Sequence, residues 1–272
     1  MRCRPIPPIV SLLLVSGCGS DPATAPLGQA AGEPIVEAIH LGGLSPGTRS
    51  DPDKVRTADV SILFVGNSHT VMHNLPTLVC EMIRFRHPEK STYVHVITVA
   101  FLEDAARDPA CRDEIDSRAW KHVILQAQKI SVSGKHDYPR QDGIDLARLA
   151  KSRGAGVVFY PEWGLRGRPG DGERQEKVYR EMAAAAEVRL APVASAWDLA
   201  LAERPGLALH DADGNHQSAL GAFLTAAVLF GRLTGESPAT LAAFPYTGAS
   251  DDDRRFIADV AAKAIAQEPQ KR

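Results

Sequence analysis

A serine and a histidine with an acidic neighbour are the residues of this 272-residue chain best suited to nucleophilic chemistry. Ser68 follows an apolar run, residues 60–65, that is typical of a strand buried in a parallel sheet. Asp213 and His216 lie three apart in a polar loop, so one turn can present a general base and the carboxylate that orients it. Together these residue types predict a serine hydrolase, in which His216 takes the proton of the Ser68 hydroxyl.

Each of these segments also has an ordinary structural interpretation. Gly66-Asn67-Ser68 is a common turn sequence, and residues 210–216 have the Asp, Gly and Asn content of a turn that ends in a helix-capping histidine. The catalytic interpretation therefore requires both segments to lie at one edge of the same sheet.

The rest of the chain predicts the elements that would place them there. Strand-like runs alternate with helix-like ones, and the strands are predicted at residues 60–65, 92–99, 122–126, 156–160 and 188–192. This alternation predicts an α/β protein, a flavodoxin-like three-layer α/β/α sandwich with a five-stranded parallel sheet. Asn74 and Pro76 indicate the start of the first helix, so Ser68 falls in a strand-to-helix turn, where open parallel sheets bind ligands.

The N-terminus has the pattern of an export signal. Arg2 and Arg4 precede the short apolar run 9–15 and then Ser16-Gly17-Cys18; the run is too short to span a membrane. An ordinary secretory signal with a chance cysteine is the alternative to a lipoprotein signal. Val15-Ser16-Gly17-Cys18 resembles the lipobox of bacterial lipoproteins, which implies cleavage before Cys18, lipidation of Cys18 and anchoring in the bacterial cell envelope. We expect a signal peptide at 1–18, a flexible Pro/Gly/Ala-rich tether at 19–58 and one folded domain at 59–270.

Composition excludes several classes of partner. The formal net charge is −2 and no Lys/Arg-rich block is present, so we expect no nucleic acid. The expected partner is a small-molecule or glycan ester, with membrane contact through the N-terminal lipid alone, and the expected state is a monomer. Cys80 and Cys111 allow either a disulfide or two buried thiols. The chain has no CxxC or Cys/His metal signature, so we expect no metal and no cofactor.

Two segments resemble the SGNH (GDSL-like) hydrolase superfamily. Residues 62–70, Ile-Leu-Phe-Val-Gly-Asn-Ser-His-Thr, resemble its first block, with Asn67 in place of the usual aspartate. Residues 213–216, Asp-Gly-Asn-His, followed by Ser218 and Leu220-Gly221, resemble its last block, and the similarity covers roughly residues 59–235. The resemblance implies the SGNH hydrolase fold, with Ser68 as nucleophile, His216 as general base and Asp213 as its orienting carboxylate.

The resemblance also implies an oxyanion hole that includes the Ser68 amide. The family's second block supplies a glycine amide, but residues 99–103 here contain no glycine, so the Ala100 or Phe101 amide would have to serve. Its third block supplies an asparagine side chain, and here the strand ends in Gln126-Ala127-Gln128. Gln126 is the first choice for this donor and Gln128 the second; either amide can instead satisfy loop backbone.

Three neighbouring residues are predicted to contact substrate. Asn67 and His69 flank the nucleophile, and His69 is expected to line the mouth of the site. Trp163 follows a strand, so it would either stack on a sugar ring or cover the pocket. A metal site of His69, His73 and Asp211 is a weaker alternative.

The sequence therefore predicts an exported serine esterase that removes short acyl groups, acetyl first, from carbohydrate or glycoconjugate esters through an acyl-enzyme. A lipase, a thioesterase or an acyltransferase of the same fold stays open, because many substrates share one fold. The alternatives from other classes are a lipid-anchored binding protein with weak catalysis, which the missing glycine favours, and a metal-dependent hydrolase.

Overall fold

The structure is a computed structural model that describes residues 49–168 and 170–268, together with the backbone of residues 35–40. The predicted signal peptide at 1–18, including Cys18, lies outside the described residues.

A parallel sheet of six strands forms the middle layer. Its strands are β1 (Ile35–His40), β2 (Val60–Gly66), β3 (Thr92–Thr98), β4 (His122–Leu125), β5 (Gly156–Phe159) and β6 (Arg189–Leu190), in the order β1-β3-β2-β4-β5-β6. The five predicted strands and their parallel pairing are confirmed, with ends that differ by a few residues. β1 is an additional edge strand that pairs with β3.

Helices cover both faces of the sheet. They are α1 (Pro52–Thr57), α2 (Ser68–Val71), α3 (Leu75–Arg86), α4 (Leu102–Arg107), α5 (Pro109–Asp116), α6 (Gln141–Ser152), α7 (Asp171–Ala186), α8 (Val193–Glu203), α9 (Ala219–Thr234) and α10 (Asp251–Gln267). Because β1 and α1 fall within 19–58, the prediction of a flexible tether over that whole range is wrong. Asp51 caps α1 by accepting hydrogen bonds from the N–H groups of Asp53 and Lys54, a local signal that the tether interpretation overlooked.

Alternation along the strands divides the apolar side chains between two cores. Ile62 and Phe64 of β2 belong to a core with residues of α3, α8, α9 and α10. Leu63 and Val65 belong to the other core, with residues of α1, α4, α5, α6 and α7. Each fully buried large apolar side chain contributes about 1.5–3 kcal/mol relative to an exposed one, so both faces of β2 hold it in the centre of the domain.

The strand order creates a crevice beside β2. From β2 the chain crosses to β3, which pairs with one edge of β2, and it later returns to β4, which pairs with the other edge of β2. Such a reversal leaves a gap at the carboxyl ends of the two diverging strands, and ligands of doubly wound proteins bind there. Ser68 follows β2 and Gln126 follows β4, so both lie at this crevice.

The two cysteines of the domain lie on opposite sides of the sheet. Cys80 of α3 is buried in the core that contains Ile62 and Phe64, and Cys111 of α5 is buried in the core that contains Leu63 and Val65. Both are free thiols. Burial raises the pKa of each thiol to about 12. Of the two options left open by the sequence, the structure therefore selects two buried thiols. None of the helices within the described residues has the length and apolar character needed to cross a bilayer.

Candidate active site

The turn that carries Ser68 is compact because Gly66 ends β2. A Cβ atom at position 66 would overlap Thr70 Oγ1 and lie 2.9 Å from Gln126 Oε1, so only glycine allows these side chains to approach. Asn67 then caps α2, since its Oδ1 accepts a hydrogen bond from the His69 N–H at 3.0 Å. Ser68 is the first residue of α2, and its own N–H has no acceptor inside the helix.

The loop that carries His216 is a tight hairpin-like excursion between α8 and α9. His210 and Gln217 form an antiparallel bridge, and the Asp211 N–H donates to the His216 carbonyl at 2.8 Å. Gly214 has φ 72°, and its N–H donates to the Asp211 carbonyl at 3.0 Å. Glycine adopts this left-handed conformation without the steric cost that other residues carry, so the sequence Asp-Gly-Asn closes the turn locally.

Asp213 orients the imidazole of His216 from within this loop. Asp213 Oδ1 accepts hydrogen bonds from the N–H groups of Asn215 and His216, each at 2.9 Å, and Oδ2 contacts His216 Nδ1 at 2.5 Å. The hydrogen bond with His216, and then those from the two backbone N–H groups, lower the pKa of the Asp213 carboxyl. An ionised carboxylate at Nδ1 favours the tautomer with the proton on Nδ1, which leaves Nε2 free to accept a proton.

The structure brings this loop to the turn at residues 66–70 that carries Ser68, called the nucleophile turn below. His216 Nε2 lies 2.8 Å from Ser68 Oγ, although the two residues are 148 positions apart in the chain. The order Ser68, His216, Asp213 is that of a nucleophile, a base in hydrogen-bond contact with it and a carboxylate behind the base. This arrangement can carry out acyl transfer.

Gln126 does not have the orientation expected of an oxyanion donor. Its Oε1 accepts hydrogen bonds from the Asn67 N–H at 3.2 Å and from the Thr70 hydroxyl at 2.7 Å. Since a backbone N–H can only donate, this fixes the oxygen toward the nucleophile turn, and Nε2 donates to Glu162 Oε1 at 2.9 Å. Gln126 is fully buried, so the prediction that its N–H stabilises an oxyanion is wrong; the side chain instead braces the turn.

The other predicted donors differ from one another. Gln128 Nε2 donates to the Ile130 carbonyl at 2.9 Å, so this amide satisfies loop backbone. Ala100 is exposed, and its N–H has no hydrogen-bond acceptor among the described residues. The Val99 N–H donates to the Gly66 carbonyl at 2.8 Å, which places the segment before Ala100 beside the nucleophile turn.

The three residues predicted to contact substrate are engaged within the protein. Asn67 braces the turn, because its Nδ2 donates to Glu162 Oε1 at 3.2 Å. His69 is buried under His216, with ring centroids 4.8 Å apart, rather than at the mouth of the site. Trp163 stacks on Trp197 at 4.1 Å and donates from Nε1 to the Asn215 carbonyl at 3.0 Å. Trp163 is 3% exposed, so it covers the site from inside and has no free face for a sugar ring.

Three residues around the site have no counterpart in the sequence prediction. Glu162 is a buried carboxylate between the nucleophile turn and His69. Gln217 is buried and donates to the carbonyls of His69 and Met72, at 3.2 and 2.9 Å, so it ties the two loops together. Arg166 contacts the carbonyls of His210 and Asp211 under the histidine loop. Glu162 lies just after β5, and Gln217 directly follows His216. These positions, close to a strand end and to a candidate catalytic residue, are the sequence signal that could have identified both residues.

Within residues 49–168 and 170–268, no group of His, Cys, Asp and Glu side chains has the arrangement of a metal site. His69 is buried against His216 and Trp163, so the alternative of a His69, His73 and Asp211 site has no ligand cluster in this part of the chain.

Comparison with known proteins gives structural matches. No sequence-family model matches the chain, and no curated protein matches it significantly. A protein from Slackia heliotrinireducens assigned as an SGNH hydrolase is 25% identical, with a TM-score of 0.50, over 63% of this chain and 97% of that one. A DUF4886 family protein from Bacteroides uniformis is 14% identical, with a TM-score of 0.56, over 76% of this chain and 95% of that one.

A third match is a catalytic mutant of an acetylxylan esterase from Geobacillus stearothermophilus. It is 16% identical, with a TM-score of 0.53, over 66% of this chain and 96% of that one. At such low identity, this match and the match to the DUF4886 family protein show similarity of the fold alone. With the strand order, these matches show that the chain has the fold of the SGNH (GDSL-like) hydrolases.

Proposed function

We propose that this protein is an exported serine esterase that removes short acyl groups, acetyl first, from carbohydrate or glycoconjugate esters. The observation that carries the proposal is the contact of Ser68 Oγ with His216 Nε2 at 2.8 Å, with Asp213 at the opposite nitrogen of the imidazole. The resemblance of the fold to an acetylxylan esterase supports the choice of an acetyl ester as the first substrate to test.

The reaction follows from this geometry. His216 Nε2 takes the proton of the Ser68 hydroxyl while Oγ attacks the ester carbonyl, and the protonated imidazole is stabilised by Asp213. The tetrahedral intermediate collapses as His216 returns the proton to the leaving alcohol, which leaves an acyl-serine. Water then attacks the acyl-serine, again with His216 as base, and releases the carboxylic acid and free Ser68.

The oxyanion hole that we propose consists of backbone N–H groups. The Ser68 N–H lies at the first position of α2, and the Ala100 N–H has no acceptor among the described residues. A single lost oxyanion donor typically costs about 10² to 10³ in rate. Because Gln126 points its oxygen at the nucleophile turn, we expect this hole to have fewer donors than the family pattern, and turnover to be slower.

The clefts beside the 164–168 segment do not fix the length of the acyl group. A cleft of about 20 Å³, close to the space of one water, is lined by residues that include Gln128, Glu162, Trp163 and Asn215, and neither Ser68 nor His216 lines it. A larger groove of about 830 Å³ lies on the other side of the 164–168 segment, but neither Ser68 nor His216 lines it. The preference for a short acyl group is therefore supported by the resemblance of the fold to an acetylxylan esterase.

A catalytically weak binding protein is the second candidate. The observation in its favour is the loss of one family donor, since Gln126 Nε2 is held by Glu162, together with Ala100 in place of the glycine that presents the second backbone N–H in the family. Binding of an ester without hydrolysis would then be the activity.

Hydrolysis of p-nitrophenyl acetate by the purified domain distinguishes the two. The esterase proposal expects activity that falls at least about 10³-fold in Ser68→Ala. Ser152→Ala on the surface of α6 is the matched control and should keep full activity. A fluorophosphonate probe should label Ser68 and fail to label Ser68→Ala. Equal hydrolysis by the wild type and Ser68→Ala would discard the esterase.

Substrate class is tested on the active protein. Acetylated xylan, acetylated peptidoglycan and p-nitrophenyl esters of increasing acyl length are compared at matched concentration. The proposal expects kcat/KM to fall steeply beyond the shortest acyl groups. Faster turnover of long-chain esters would indicate a lipase instead.

Export and lipid anchoring form part of the proposal and are supported by the sequence pattern at residues 2–18. In cells, Cys18→Ser should release the protein from the membrane fraction, while Cys80→Ser should leave it there. Continued membrane attachment of Cys18→Ser would contradict lipidation at that cysteine.

A further inference from the structure

A buried carboxylate lies beneath the catalytic residues. Glu162 follows β5, is 5% exposed, and its Oε1 accepts hydrogen bonds from Gln126 Nε2 at 2.9 Å and Asn67 Nδ2 at 3.2 Å. Gln126 and Asn67 both belong to the network that shapes the nucleophile turn. Glu162 is therefore the common acceptor that sets the orientation of both amides.

The same oxygen faces the catalytic histidine through one intervening ring. Glu162 Oε1 lies 3.9 Å from His69 Nδ1, and the His69 ring stacks on the His216 ring with an interplanar angle of 28°. Trp163 packs against the His69 ring, with the two ring centroids 5.2 Å apart. His69 is held between these groups, and its Nδ1 is buried without a hydrogen-bond partner.

Two hydrogen-bonded amides do not by themselves require a charge at this position. A neutral amide oxygen accepts from N–H groups as a carboxylate does, and a buried carboxylate carries a desolvation cost. Among the described residues, His69 is the only basic group within ion-pair distance of Glu162. The hydrogen bonds to Gln126 and Asn67 therefore do not require a negative charge on Glu162. No Lys or Arg among the described residues pairs with this carboxylate.

We propose that Glu162 is a positioning residue of this active site, which orients the nucleophile turn through Asn67 and Gln126 and whose charge, acting across His69, favours the protonated form of His216. The inference rests on the proposed function, because the imidazolium of His216 forms during Ser68 attack. Asp213 supplies an exposed charge that water screens, whereas Glu162 supplies a charge in a low-dielectric environment.

The charged and titratable groups around His216 come from three segments. Asp213, Asp211 and His210 lie on its own loop, and His69 comes from α2. Glu162 and Arg166 come from the segment after β5. Burial lowers the pKa of His69, so this ring is neutral near pH 7 and adds no competing positive charge beside His216.

Glu162→Gln removes the charge and keeps the brace. The amide oxygen of glutamine can take the place of Oε1 and accept from both Gln126 and Asn67, so we expect the variant to fold. The acidic limb of kcat/KM against pH, which reports protonation of His216, should move to lower pH by roughly 0.5 to 1 unit. Above that limb, kcat should fall about 3- to 10-fold at nearly unchanged KM.

Glu176→Gln is the matched control. Glu176 is equally buried, at 2% exposed, but it binds Ser195 and Arg180 away from the triad. It should leave the pH profile unchanged. Glu162→Asp keeps the charge on a shorter side chain, so its acidic limb should stay near that of the wild type while kcat falls because the brace is weakened.

An NMR titration of the His216 ring tests the proposal independently of activity. If Ser68→Ala equals the wild type in hydrolysis, the proposed function fails, yet the midpoint of His216 in Glu162→Gln can still be measured. A folded Glu162→Gln protein with an unchanged His216 midpoint would overturn the inference. A Glu162→Gln protein that does not fold would assign Glu162 a structural role and would also overturn it.

Discussion

The turn that carries Ser68 is largely buried and follows a central strand of the sheet, whereas the loop that carries His216 is more exposed. Side chains from distant strands hold the turn, and Gln126, which does most of this, is fully buried. The loop is held mainly by its own backbone and by Asp213, whose side chain is 49% exposed. Side-chain hydrogen bonds from Gln217, Arg166 and Trp163 to carbonyl groups tie the loop to its surroundings.

This difference separates stability from activity. Every group left unpaired in a buried polar network destabilises the protein by its full desolvation penalty. A change in the turn should therefore lower stability and activity together. An exposed loop residue exchanges its partner for water, so a change there should lower activity with little effect on stability. Four substitutions test this contrast, in order of decreasing effect on activity.

His216→Ala should give the largest loss. Without the base, Ser68 keeps its proton, so kcat/KM should fall at least about 10³-fold. The free energy of unfolding should change by less than about 1 kcal/mol, because the loop backbone bonds remain. Urea unfolding and p-nitrophenyl acetate kinetics measure the two effects, with the exposed His136→Ala as the control. A loss of several kcal/mol would remove the contrast between loop and turn.

Gln126→Ala should lower both quantities. It leaves the Asn67 N–H, the Thr70 hydroxyl and Glu162 without their buried partner, which should cost about 2 to 3 kcal/mol of stability. Displacement of Ser68 should lower kcat about 10²-fold. Gln128→Ala, which removes one loop contact, is the comparison. An unchanged stability with the same loss of kcat would return Gln126 to the role of oxyanion donor.

Asp213→Asn should lower kcat/KM by roughly 10- to 100-fold, since the imidazole loses the group that fixes its tautomer; the loss is smaller than the about 10⁴-fold effect at a buried triad carboxylate because Asp213 is half exposed. The substitution also has a pH signature. The folded-state pKa of Asp213 is lowered, so its contribution to stability is present above the unfolded pKa and disappears as the pH falls through the folded value. The stability difference between wild type and variant should therefore shrink below about pH 4. A difference that grows toward low pH would contradict this assignment.

Gln217→Ala should have the smallest effect on activity, about 3- to 10-fold in kcat. Its amide connects the segment after Ser68 to the residue after His216, so its loss loosens the contact between the two regions. Stability should fall by about 1 to 2 kcal/mol, because the side chain is buried. Gln141→Ala on the surface of α6 is the control. Full activity in Gln217→Ala would show that the turn and the loop are positioned independently.

Much of the fold follows from local sequence patterns. The apolar runs at 60–65 and 122–125 are strands because both of their faces are buried, and this pattern is readable without a structure. The edge strand Ile35–His40 escaped prediction because it lies in a Pro/Gly/Ala-rich segment and is defined by pairing with β3. The side-chain donors escaped correct prediction for a similar reason, since the orientation of Gln126 depends on Asn67 and Glu162.

By itself, the sequence determined the alternation of strands and helices and the geometry within the histidine loop. Asp213, Gly214 and His216 are neighbours, so their hydrogen bonds close within one turn. Only the tertiary structure decided that Ser68 meets His216, that Glu162 lies behind them, and that His69 and Trp163 are buried. These contacts join residues far apart in the chain, and their geometry depends on how the strands β2, β4 and β5 and the loops after them pack together.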